Sequence, residues 1–313
     1  MKRKVIKQGH NTLTVTLPRK WADKFNVKGG DEIEIEERGS SLILGSEKGI
    51  CLDKVEIDVT GLDRSSIMFY IRSVYRRGFD EIVIRFNEPY AYHHRVEQKK
   101  KVVSIIHQEV NRLVGVELIE QKNDFCVIKD VSGDSFKDFD TILRKVFLLI
   151  SDALSDITIG AKESETVLIE EIEEKHDTIT KFISYCLRLL NKKGYVDSRK
   201  TIFLYTIIES LDMITDIVKY AARDLLAYNK KLKKETLDIL DSIKTSFTTF
   251  YELFYKFDLK KFSKLNEIRD SVLKKIDVLP KKIPETELVL VTDMEHILEI
   301  IREISGTRMG LEY

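Results

Sequence analysis

The segment LDMITDIV (211–218) recurs 83 residues later as MEHILEII (294–301). Apolar residues coincide at Leu211 and Met294, Ile214 and Ile297, and Val218 and Ile301; acids coincide at Asp212 and Glu295, and at Asp216 and Glu299. Spacings of three and four put the apolar set on one helical stripe and both carboxylates one turn apart beside it. Two copies of one helical unit are expected. Turn signals at Gly160, Lys192-Lys193-Gly194, Tyr228-Asn229, Lys256 to Leu259 and Pro280 to Pro284 cut the chain after Phe136 into six helices, two sets of three.

Upstream, residues 50–135 change character. A strand KVEIDV (54–59) precedes a helix from the N-cap Asp63 to Arg77, stopped by Gly78, and a second strand DEIVIRF (80–86) completes a βαβ unit. A second helix is expected from about Tyr92 to Leu113, with His93-His94 at its solvated start, then strands VELIEQ and FCVIKDV joined around Lys122-Asn123. No glycine-rich phosphate loop separates strand from helix, so nucleotide binding has no motif behind it. This segment reads as a small α/β spacer or sensor.

The first 49 residues form a third pattern. Leu13, Val15 and Leu17 alternate with Thr12, Thr14 and Thr16, Pro18 ends that strand, and Arg19 to Phe25 suits a short helix. Gly29-Gly30 turns into DEIEIEE, and RGSS (38–41) links this to LIL, giving ββαββ. So short a unit cannot cover Leu13, Val15, Leu17, Ile33 and Ile35, which predicts a homodimer with interleaved strands. The chain of 313 residues carries no net charge, yet residues 1–28 hold Lys2, Arg3, Lys4, Lys7, Arg19, Lys20, Lys24 and Lys28 against Asp23 alone. Such an arm suits phosphate contacts.

Domains are therefore expected at 1–49, 50–135 and 136–313, in an α+β chain. Charged residues make up a third of it and only 4 are proline, as in long solvated helices. Cys51, Cys126 and Cys186 match no zinc spacing and read as ordinary thiols. No stretch approaches the 18 or so apolar residues of a membrane span, so a cytoplasmic protein without membrane insertion is expected.

The acidic pair recurs: Asp212 with Asp216, Glu173 with Asp177, and Glu295 with Glu299. Carboxylates four apart can offer oxygens to one hard cation. The plain alternative is a charged solvent stripe in which Lys219 and Arg223 compensate Glu209, Asp212 and Asp216. In the second set NEIRD keeps Asp270 but has Asn266 in the place of the first acid, which weakens that copy. His176 follows Glu173 by three, and His296 follows Asp293 by three, the ligand spacing of di-iron bundles, although His176 also continues the apolar series Ile172, Ile179 and Ile183. No arrangement for nucleophilic catalysis is apparent, and binding rather than catalysis is expected.

KVIKQGHNTLTVTLPRKWADKFNVKGGDEIEIE (4–36) resembles the AbrB/SpoVT swapped-hairpin domain, with Leu17-Pro18 and Gly30-Asp31 at that family's spacing. The helices after 136 resemble PhoU, whose repeats carry the pattern LERIGDHA, matched at Leu211, Asp212, Ile214 and Asp216, with a companion acidic motif at Glu173 and Asp177. The resemblance implies a dimeric head binding DNA through Lys4, Lys7, Arg19, Lys20 and Lys24, joined to a PhoU-like pair of three-helix bundles. It also implies iron, manganese, zinc or magnesium at Glu173, Asp177, Asp212 and Asp216, with a second site at Asp270, Glu295 and Glu299. Phosphate-linked regulation is the implied function. The alternative is a module that does not bind DNA and docks on a phosphate transporter or sensor kinase. Two positions depart from the pattern: paired arginines of DNA-binding AbrB members fall here on Ala22 and Asp23, and Asp212 and Glu299 exchange the usual acids.

Overall fold

The computed structural model describes residues 1–9, 11–38, 41–45, 54–132, 139–228, 230–279 and 282–313. They divide into two compact units, 1–53 and 54–313. Gly39 and Ser40 of the expected hairpin turn, Cys51, Phe136, Asn229 and Pro280 lie outside the described residues.

In the first unit β1 (Ile6–Gln8) pairs antiparallel with β2 (Thr12–Thr14), α1 (Arg19–Lys24) follows, and β3 (Glu34–Arg38) pairs antiparallel with β4 (Ser41–Gly45). The order is the expected ββαββ. Pro18 caps α1 in extended conformation, as its fixed φ favours, and Gly30 takes a φ of 93° in the turn that the Lys28 amide closes onto Asp31. No side chain described in this unit is buried. Leu13 is 71% exposed and Leu42 64%, and isolated two-stranded ribbons of this kind are marginal in water.

The second unit begins with a four-stranded sheet in the order β5 (Lys54–Asp58), β6 (Glu81–Arg85), β10 (Phe125–Asp130), β9 (Val116–Gln121). β5 and β6 are parallel, joined by α2 (Arg64–Arg77), and the other pairs are antiparallel. The helix signals act as expected: Asp63 accepts from the Ser66 amide at 2.9 Å, and Gly78 takes φ 103°. The expected helix from Tyr92 is corrected. Residues 90–101 form a hairpin, β7 (Tyr90–His93) with β8 (Gln98–Lys101), and α3 runs only from Val102 to Val110. Tyr90, Ala91 and Tyr92 alternate exposed, buried, exposed, the period of a strand, and helical spacing begins only with Val102, Ile105, Ile106 and Val110. His93 therefore ends a strand instead of opening a helix.

The helical body consists of α4 (Phe139–Glu163), a short α5 (Thr166–Glu170), α6 (Ile172–Lys193), α7 (Thr201–Tyr228), α8 (Lys234–Tyr255), α9 (Leu259–Ile276) and α10 (Glu285–Gly310). α4, α6 and α7 pack on one another, as do α8, α9 and α10, and the sets meet through α7 against α10 and α4 against α8. The repeated apolar positions, Leu211, Ile214, Val218 and Met294, Ile297, Ile301, are all buried. Gly160 does not end its helix as expected; it lies inside α4. A Cβ there would stand 2.7 Å from the Ile169 side chain, so the glycine admits α5 rather than making a turn. Among the described residues, no helix is long and apolar enough to cross a membrane.

The sheet and the body keep separate apolar cores but form one compact unit. Arg188 of α6 joins them. Its guanidinium, fully buried, donates to the carbonyls of Tyr75 (3.0 Å) and Phe79 (2.9 Å) and to Asp130 Oδ2 (2.7 Å), and lies over the Tyr75 ring. Burial alone would raise the Asp130 pKa, but Arg188, the Ser132 amide and Lys192 hold it well below the usual carboxylate range. Replacing Arg188 by Met should cost about 3–5 kcal/mol, because it takes the guanidinium from half-buried Asp130, which keeps only Lys192 and the Ser132 amide, and removes a donor from the Tyr75 and Phe79 carbonyls. Guanidinium denaturation of the full chain measures this, and a change under about 1 kcal/mol would remove the clamp from the account.

Candidate functional site

A cleft of about 630 Å³ opens between the α2–α3 side of the sheet and the α6–α7 face of the body, and four of the expected metal ligands, Glu173, Asp177, Asp212 and Asp216, line it. α6 carries the first two and α7 the second two, each pair one turn apart. The sequence pattern thus brings the right acids together. Their partners differ from those expected.

Each carboxylate faces a cationic side chain. Asp212 accepts from Arg76 Nη2 at 2.7 Å, Asp216 from Lys219 Nζ at 2.5 Å, Glu173 from Arg223 Nε at 2.9 Å, and Asp177 from Arg112. His176 lies between acids, with Nδ1 at 3.0 Å from Asp177 and Nε2 at 2.9 Å from Asp216. Asp212 is not on the exposed side of its helix; its side chain is 16% exposed beneath Arg76, whereas Asp216 is 51% exposed. In the second set Arg269 spans Glu299 (2.6 Å) and Asp270 (3.0 Å), while Glu295 lies one turn before Glu299 on α10.

Among the described residues no three His, Cys, Asp or Glu side chains form a group that could hold a metal ion. The expected metal therefore does not fit the donor set as arranged: the repulsion between these acids is relieved by guanidinium and ammonium groups. The di-iron set is not assembled either. Asp293 has its pKa raised, by burial first and then by the charge of Asp224.

Sequence reasoning missed Arg64, Arg72, Arg76, Arg95 and Arg112, cations on the sheet side of the cleft. Arg72 and Arg76 are four apart on α2 and so share a face, a signal present in RSSIMFYIRSVYRR. Arg72 grips Glu109, fully buried on α3, with two bonds of 2.7 and 3.1 Å.

In the first unit the five expected DNA contacts, Lys4, Lys7, Arg19, Lys20 and Lys24, are all exposed. Lys7 is in β1, Arg19 and Lys20 open α1, and Lys24 closes it. Arg19 pairs with Asp23 at 3.0 Å, an exposed contact worth little. Residues 6–50 match the family described as Antidote-toxin recognition MazE, bacterial antitoxin. The MazE-like segment, of AbrB-like swapped-hairpin kind, covers the first compact unit apart from its ends and none of the second. No curated protein and no solved structure matches the chain.

The His176 bridge has a pH signature. Burial opposes its charge, but the bonds to Asp177 and Asp216 outweigh burial and the Lys219 charge, so its pKa lies above the ordinary 6.5. A raised folded-state pKa stabilises fully below the unfolded value, and that gain is lost as pH rises through the folded value. The stability difference between wild type and His176→Gln should therefore be largest below pH 6.5 and fade as pH rises above it. Urea denaturation over a pH series on both sides of 6.5 decides this; a constant difference would leave His176 a packing role only.

Proposed function

We propose that the chain is a dimeric DNA-binding regulator whose MazE-like unit supplies both the subunit contact and the DNA contact. The observation that carries this reading is the family match over residues 6–50, on a unit with exposed apolar side chains and with the basic side chains Lys4, Lys7, Arg19, Lys20 and Lys24 exposed to solvent. A second copy would cover Leu13, Val15, Ile35 and Leu42 by completing the strand pairing that one copy leaves as two separate ribbons. Lys4, Lys7, Arg19, Lys20 and Lys24 would then neutralise backbone phosphates and give affinity with little sequence information.

The finer part of the proposal is a phosphate link: the helical body would answer to phosphate status, or to a phosphate transporter or sensor kinase, in a cytoplasmic protein. What supports it is the resemblance of the LDMITDIV repeat to PhoU. A second reading has the head only dimerise while the body docks on such a partner. The Arg19–Asp23 pair and the zero net charge favour it.

Gel shifts over a salt series separate the two readings. Arg19→Ala with Lys20→Ala should weaken binding to every DNA sequence and flatten the slope of log affinity against log salt by roughly one to two units. An unchanged slope favours the docking reading. Val15→Asp should turn the dimer into a monomer or an unfolded head at micromolar concentration, as read by native mass spectrometry; a folded dimeric variant would rule out this apolar face as the interface.

A further inference from the structure

The cleft carries more positive charge than its acids consume. Arg72, Arg76, Arg112, Lys219 and Arg223 each hold a carboxylate, but Arg64 and Arg95, which line the same cleft from the sheet side, make no ion pair among the described residues. The single hydrogen bond of Arg64 runs from Nη2 to Gln108 at 3.2 Å. Its Nε is buried without a partner, and so are Arg112 Nε, His93 Nδ1 and Thr180 Oγ1. All four belong to residues that line this cleft. Thr180 is 4% exposed, and its hydroxyl does not take the backbone bond to the preceding turn that Thr158 and Thr215 make in their helices. Buried polar groups are nearly always satisfied in folded proteins, and the two guanidinium Nε groups can only donate, so this cluster in one cleft points to a ligand that accepts hydrogen bonds.

The electrostatics agree. Burial first, then the charges of Arg64, Lys100 and Arg95, push His93 below its ordinary value, so it is neutral and a single ring nitrogen carries a proton. Arg64 is lowered by burial and then by the charge of Arg112. Glu109 and Asp63 offset part of this charge, but Arg64 stands beside Arg112, and a guanidinium pair matches the oxygens of a phosphate. The volume is roughly twenty times that of a water molecule, so a phosphate group alone would not fill it. Two aromatic side chains also line the cleft: Phe69, 64% exposed, and Tyr220, 51% exposed, each with a cationic side chain over its ring. Exposed aromatic faces of this kind stack planar rings.

We propose that this cleft binds a small phosphorylated molecule carrying a planar ring, a nucleotide, with its phosphate on Arg64, Arg112 and His93 and its ring along Phe69 and Tyr220. All of these residues belong to the second unit.

The test is titration calorimetry on the full chain with the ribonucleoside 5′-monophosphates and 5′-triphosphates, inorganic phosphate, and unphosphorylated adenosine. At least one nucleotide should bind about tenfold or more tighter than inorganic phosphate, and adenosine should not bind detectably. Arg64→Gln should weaken that nucleotide about ten- to a hundredfold, the worth of a hydrogen bond to a charged group, with the thermal midpoint kept because Arg64 makes one exposed side-chain bond. Phe69→Ala should weaken nucleotide but leave inorganic phosphate unchanged. The proposal is overturned if no nucleotide binds, if inorganic phosphate binds as tightly as every nucleotide, or if Arg64→Gln leaves the affinity unchanged.

Discussion

Arg188 is a charge with no exposed surface, and the second unit is arranged around keeping it satisfied. The guanidinium takes two carbonyls at the end of α2 and a carboxylate on β10, so it fixes where the sheet sits on α6. Lys192, one turn further along, reaches Asp80 and Asp130, and Asn191 donates to the Arg76 carbonyl. These contacts surround the C-terminal end of one helix, where a cation is also favoured by the helix dipole. Because they hold α2 against α6, Arg72 and Arg76 of α2 line a cleft opposite α6 and α7.

The acids of that cleft show how a motif can keep its geometry while its chemistry changes partner. Glu173, Asp177, Asp212 and Asp216 stand where a cation could draw them together. The cations that arrive are Arg76 and Arg112 from the sheet, and Lys219 and Arg223 from α7 itself. A half-buried carboxylate needs a counter-charge, and a tethered guanidinium supplies it without loss of translational freedom. His176 then acts as a proton-dependent bridge between two of the acids. Among the described residues this leaves the sheet side with positive charge in excess, the opposite of what four clustered acids suggest.

The first unit obeys a different constraint. It buries none of its described side chains, so its stability must come from what covers it, and the same small unit carries exposed lysines, Lys7 on β1 and Lys20 and Lys24 on α1. Subunit contact and nucleic-acid contact are thereby expected of one small piece of chain, while the 260 residues from Lys54 to Tyr313 fold around their own two cores.

The sequence by itself determined the elements whose signals are local. The N-cap Asp63 and the left-handed Gly78 delimit α2, Pro18 opens α1, and the spacing of Leu211, Ile214 and Val218 and of their counterparts on α10 names the buried stripes of the two repeats. Such signals are legible because capping, backbone conformation and burial periodicity act within a few residues. The hairpin at 90–101 was less so, since a short run of alternating tyrosines competes with the helical spacing that starts beside it. Only the tertiary structure decided which charges meet. Arg76 and Asp212 are 136 residues apart in the chain, and Arg112 and Asp177 are 65 apart. No local pattern specifies such pairs, because they depend on which faces two separately folded cores present to each other. The same packing turned an expected metal-binding stripe into the acidic wall of a basic cleft.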